Sequence, residues 1–111
     1  TSSPFTRVEA VLGKLGIRDR FMAVHSAEVE RFGKPHPDVY IHAAEKLGVE
    51  PVHCLAIEDS FTGLLAAKAA SMTALIVPDP ALVGDPRLAI ADHQLHSLAE
   101  LDADMLARWV A

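Results

Sequence analysis

The sequence predicts an α/β protein built on a parallel sheet, and three observations carry that prediction. Apolar runs of strand length, Cys54-Leu55-Ala56-Ile57 and Thr73-Ala74-Leu75-Ile76-Val77, alternate with stretches whose apolar residues recur at helical spacing. The runs are continuous rather than alternating, as in strands buried on both faces of a parallel sheet. Gly and Pro punctuate the junctions, at Gly16, Gly48, Pro51 and Pro78-Asp79-Pro80. Helices between such strands imply right-handed crossovers.

Each element follows from its residues. Thr1-Ser2-Ser3-Pro4 is a hydroxyl cluster followed by a proline, suited to a strand-to-helix junction. Phe5, Val8, Val11, Leu12 and Leu15 predict a helix from about Phe5 to Leu15, capped by Gly16. Phe21-Met22-Ala23-Val24 has strand length, and Glu28 to Gly33 reads as a polar loop. Pro35 and Pro37 restrict the residues before them and set the entry to a helix over Val39–Leu47 that Gly48 ends. A strand is expected at His53–Ile57, with Cys54 buried inside it. A helix from about Thr62 to Ala70, rich in Leu and Ala, suits close packing on a sheet. Thr73–Val77 is the next buried strand. Asp85-Pro86-Arg87-Leu88 reads as a turn or short helix, Gln94–Leu98 as a short edge strand, and Glu100–Val110 as an amphipathic terminal helix with Trp109 packed.

The 111 residues make one domain at most, and although 50% are apolar, no run approaches the ~18 residues of a membrane span. Thr1-Ser2-Ser3-Pro4-Phe5 lacks the basic and apolar regions of a signal peptide. The net charge of -5 is interspersed without a basic stripe, which argues against nucleic acid as the main partner, and with no spanning run no membrane partner is expected. The single cysteine excludes an internal disulfide framework and reads as a small buried hydrophobe rather than a nucleophile. A cytoplasmic protein is expected.

The chemistry gathers at Glu58-Asp59-Ser60. In open α/β sheets, ligands bind just beyond the carboxyl ends of the strands, where these residues fall. Two adjacent carboxylates repel unless a cation or a shared proton relieves them, and a hard divalent ion suits them. The competing reading is that Asp59-Ser60 merely caps the next helix. Between Lys34 and Glu58 there is room for a helix, a loop and a strand, which puts both at one edge of the sheet. Of the six histidines, His93 and His96 have a metal-like spacing but no third ligand nearby, so they read as a surface pair. His36, between two prolines, suits substrate contact or structure equally. Asp38 favours a helix N-terminus, and Asp79, Asp85 and Asp92 read as isolated loop acids.

Taken together, Thr1-Ser2-Ser3, Gly33-Lys34-Pro35-x-Pro37-Asp38 and Glu58-Asp59 resemble, in order, the second, third and fourth motifs of the haloacid dehalogenase superfamily. The resemblance extends over nearly the whole chain. It is to the β-phosphoglucomutase-like and sugar-phosphate phosphatase subgroup, including the 2-deoxyglucose-6-phosphatase type. It implies a Rossmann-like parallel sheet with flanking helices and a magnesium-dependent hydrolysis of small sugar phosphates through an aspartyl-phosphate. It further implies Thr1 and Ser2 as phosphate-binding, Lys34 as the catalytic cation that neutralises phosphate and nucleophile, and Asp59 with Glu58 as the Mg2+ site. Glu58 stands there as co-ligand or as support behind Asp59.

One departure from the family is large. Its first motif, Asp-x-Asp-x-Thr, which carries the nucleophile and the general acid/base, does not occur in these residues. The cap that follows that motif and selects the substrate has no counterpart either. The 111 residues are therefore expected to be the C-terminal part of a core domain, lacking the first strand and the cap and inactive alone. An apolar strand edge would then be open to self-association. Two alternatives stay open: a phosphoglucomutase-type phosphoryl transfer, and a non-catalytic module that binds a partner.

Overall fold

The computed structural model describes residues 32–109. The helix expected over Phe5–Leu15, the strand expected over Phe21–Val24, and Thr1 and Ser2 lie outside them. Pro37 stands at the N-cap of α1 (Asp38–Leu47), where its carbonyl accepts from the N–H groups of Tyr40 and Ile41, both at 3.0 Å. Asp38 in the first turn and Lys46 in the last both suit the helix dipole. At the far end Gly48 takes a left-handed φ of 68°, so that its N–H donates to the Glu45 carbonyl and that of Val49 to Ala44. A side chain is strained in that conformation. Gly48→Ala is expected to cost about 1 kcal/mol and to lower the melting temperature by about 4–8 °C in a thermal denaturation scan.

Pro51 opens a single 3-10 turn, Pro51–His53, in which the N–H groups of His53 and Cys54 donate back to the carbonyls of Glu50 and Pro51, each at 2.9 Å. That turn removes His53 and Cys54 from the strand expected to begin there, and β1 is Leu55–Glu58. Cys54 is half-buried rather than enclosed; its thiol donates to the Glu50 carbonyl at 3.5 Å, and burial raises its pKa.

Ser60 caps α2 (Phe61–Ala69) by accepting from the Gly63 N–H at 3.2 Å. The small residues expected to pack closely do so: Leu64, Ala66 and Ala67 are wholly buried where α2 meets β1 and β2 (Thr73–Ile76). β2 is central, parallel to β1 on one side and to β3 (His93–Gln94) on the other, with Leu55 opposite Thr73 and Leu75 opposite His93.

Burial on both faces holds for β2, where Ala74, Leu75 and Ile76 are sealed, but not for β1. In β1 only Ala56 and Glu58 are buried, on the side that faces α1 and α2, while Ile57 is 43% exposed. Among the described residues nothing pairs with the outer edge of β1. The edge strand expected over Gln94–Leu98 is also shorter. Ser97 and Glu100 form a reciprocal capping box that opens the turn Leu98–Glu100 and draws the chain out of the sheet. The terminal helix accordingly begins late, as α3 (Ala103–Trp109), with Asp102 accepting from the Met105 N–H.

Asp92 ties β2 to α2. Burial alone would raise its carboxyl pKa, but the Lys68 ammonium at 2.6 Å and the Ala74 N–H at 2.8 Å outweigh that and hold it below the ordinary carboxylate value. A lowered pKa in the folded state adds stability above the unfolded value and loses it as pH falls through the folded one. Asp92→Asn should therefore be less stable than the native sequence by about 1 kcal/mol or less, since the pair is partly solvated. Melting curves across a pH series should show that gap near neutrality and see it close as the pH drops below about 4. Among the described residues no helix is long and apolar enough to cross a membrane.

Candidate active site

Lys34 precedes α1, and Glu58 is the last residue of β1, so the crossover between them sets their separation. The N–H of His36 donates to the Gly33 carbonyl at 3.0 Å, closing a turn around a cis Lys34–Pro35 peptide. From that turn the Lys34 ammonium reaches the Glu58 carboxylate at 2.6 Å. The Glu58 side chain is 6% exposed and that of Lys34 18%. A pair so enclosed needs further hydrogen bonds to offset its desolvation. Tyr40, in the first turn of α1, supplies one: its hydroxyl donates to the same oxygen, Oε1. Its ring also lies 5.3 Å from the Lys34 nitrogen, within cation–π reach. Burial first, and then the hydrogen bond to Glu58, push the phenol far above its usual value, so it stays a donor.

Gly63 makes room for this arrangement, since a methyl group on it would overlap the Glu58 carboxylate. Asp59, one residue further on, is held through its backbone, whose carbonyl accepts from the Asp79 N–H at 3.1 Å. Its side chain is exposed and makes no hydrogen bond or ion pair among the described residues. The two readings of Asp59-Ser60 therefore divide: Ser60 caps α2, while the Asp59 carboxylate stays open. Lys34, Glu58 and Asp59 line one cavity of about 430 Å³ with Ile57, Val77 and Leu98. A cation and a carboxylate with no ion-pair partner among the described residues, both lining this cavity, can receive an anion together with a small hard metal ion.

The other candidates among the described residues are occupied elsewhere. His36 accepts from the Asp38 N–H at 3.3 Å, lies 3.2 Å from the Asp38 carboxylate, and packs near Phe32. His93 stacks on Trp109 at 3.9 Å and His96 approaches Glu100. Asp79 and Asp85 cap short 3-10 turns, Asp85 also pairing with Arg87, which lowers its carboxyl pKa. No group of three or more His, Cys, Asp or Glu suited to a metal occurs among the described residues. Tyr40 and Gly63 were missing from the sequence reading. Their only signals are position: Tyr40 in the first turn after Lys34-Pro35, and Gly63 as the glycine beside Glu58 in a helix otherwise rich in Ala and Leu.

The family model described as "haloacid dehalogenase-like hydrolase" matches residues 1–71. Hexitol phosphatase B of Escherichia coli K12 is 48% identical over 103 residues, covering 93% of this chain and 46% of the relative. β-Phosphoglucomutase of Bacillus subtilis is 36% identical over 96 residues, covering 86% and 40%. The crystal structure of CbbY from Rhodobacter sphaeroides in complex with phosphate aligns with a TM-score of 0.80 at 33% identity, over 91% of this chain and 46% of that one. A haloacid dehalogenase family hydrolase from Deinococcus radiodurans, with bound phosphate and sodium, aligns at 0.77 and 33%, over 96% and 49%. The chain thus spans about half the length of the relatives it matches.

Proposed function

We propose, given that this chain belongs to the haloacid dehalogenase-like hydrolase family, that it is the C-terminal part of the core domain of a cytoplasmic phosphatase acting on small sugar phosphates. The observation that carries this reading is the shared cavity with Lys34 and Asp59 on its walls. Phosphoryl transfer asks the protein chiefly for positioning and for positive charge against the equatorial oxygens. Lys34 uses one N–H on Glu58, which leaves it two to donate to a phosphate entering the cavity. Thr1 and Ser2 would add hydroxyl donors to the same phosphate.

Mg2+ fits the donors at hand, because this ion takes one or two carboxylates and fills its other positions with water and phosphate oxygens. Asp59 would hold it. The Glu58 carboxylate is engaged by Lys34 and Tyr40, which favours the supporting role for Glu58 over direct ligation. The ion, when bound, would neutralise charge on the phosphoryl group. The nucleophile of an aspartyl-phosphate route would come from an Asp-x-Asp-x-Thr strand, a pattern outside these residues.

Relatives named as phosphatase and as mutase are both similar to the chain, and the higher identity to hexitol phosphatase B favours hydrolysis. A requirement for a sugar bisphosphate would mark the mutase instead. The test is Asp59→Asn in the full-length protein, assayed by phosphate release from a hexitol phosphate. Since the Asp59 side chain is exposed and makes no ion pair among the described residues, the melting temperature should hold while the rate falls by about 100-fold or more. Wild-type turnover in that variant would overturn the assignment.

A further inference from the structure

We propose that Tyr40 is a positioning residue for phosphate binding, holding Lys34 in the cavity from two directions at once. The inference rests on the reading of Lys34 given above.

A lysine is a poor phosphate clamp by itself. Four rotatable bonds carry its ammonium, and each bound orientation costs side-chain entropy. Here the stem leaves a turn rather than a helix or strand, so the backbone does little to aim it. Two contacts meet its nitrogen, and a third fixes the oxygen it binds. Glu58 Oε1 lies 2.6 Å away, the Tyr40 hydroxyl donates to that same oxygen, and the Tyr40 ring sits 5.3 Å from the nitrogen. The hydroxyl fixes the carboxylate and the ring limits where the ammonium can swing, so one side chain restrains both halves of the ion pair. The phenol itself does not line the cavity. Whatever it does for the reaction, it does through Lys34.

The experiment is a double-mutant cycle in the full-length protein. Tyr40→Phe keeps the ring and its volume, so the fold should persist, and removes only the donated hydrogen bond. Lys34→Gln removes the charge that is being aimed. Turnover of a hexitol phosphate and the affinity for inorganic phosphate by calorimetry are read on all four proteins; the second readout remains available if Lys34→Gln turns over too slowly to measure. Tyr40→Phe is expected to lose about 10-fold to 100-fold, as when a partner that orients a functional side chain is removed. In the Lys34→Gln background it should change nothing further in either readout. A Tyr40→Phe protein with native turnover and native phosphate affinity would overturn the proposal. So would losses that multiply in the double variant, which would mean that Tyr40 serves the fold generally. If Lys34→Gln by itself matched the native protein in both readouts, the reading of Lys34 would fall and the role of Tyr40 with it. A loss in Lys34→Gln but not in Tyr40→Phe would sink only the latter.

Discussion

Gly63→Ala is expected to be the most damaging single methyl group that can be added to α2. A methyl at that position overlaps the Glu58 carboxylate. On an exposed glutamate the clash would be cheap, because the side chain would swing away. Glu58 is 7% exposed and is fastened by Lys34 and Tyr40, so displacing it strains those contacts. Overpacking costs about 1–3 kcal/mol, and a buried ion pair broken from one side costs about 3–5 kcal/mol. A loss of at least about 3 kcal/mol in chemical denaturation is the expected outcome, accompanied by loss of phosphate release. The cause can be separated from ordinary helix crowding by a second change. Trimming the carboxylate away with Glu58→Ala removes the obstacle, so Gly63→Ala should cost much less in that background than in the native one. Equal costs in both backgrounds would show that Glu58 is not what Gly63 accommodates.

Lys34→Met is expected to strike stability and activity together, and a partner substitution should pull the two apart. Without the ammonium, Glu58 keeps, among the described residues, only the Tyr40 hydroxyl as a side-chain donor in a nearly enclosed site, and the expected loss is about 3–5 kcal/mol. Phosphate release should fall by about 100-fold to 1,000-fold, the usual cost of removing a charge-stabilising donor. Adding Glu58→Gln takes away the stranded carboxylate, and much of the stability should return. Activity should not return, because the charge aimed at phosphate is still missing. Recovery of both in the double variant would mean that the ion pair serves folding alone.

The largest features of this chain lie in short-range pattern. Proline and glycine punctuation located α1 and its stop at Gly48, and the continuous apolar runs located β1 and β2 to within a residue or two at each end. The ordered series of Lys34-Pro35 and Glu58-Asp59 pointed to one edge of the sheet, because a parallel crossover returns the chain to the same side. Where the reading slipped, a local hydrogen bond competed with the strand. The turn opened by Pro51 took His53 and Cys54 out of β1, and the capping box of Ser97 with Glu100 ended β3 after Gln94.

Composition and periodicity by themselves determined an α/β chain, the order of α1, β1, α2 and β2, and which residues carry charge at the end of β1. Which of two adjacent acids is enclosed, and which is open, was decided only when α1 and α2 packed on β1. Successive strand residues face opposite sides, so burial of Glu58 depends on which face those helices cover. Tyr40 and Gly63 acquired their parts for the same reason: a hydroxyl donor and a missing methyl matter only once a carboxylate from a distant strand is brought against them.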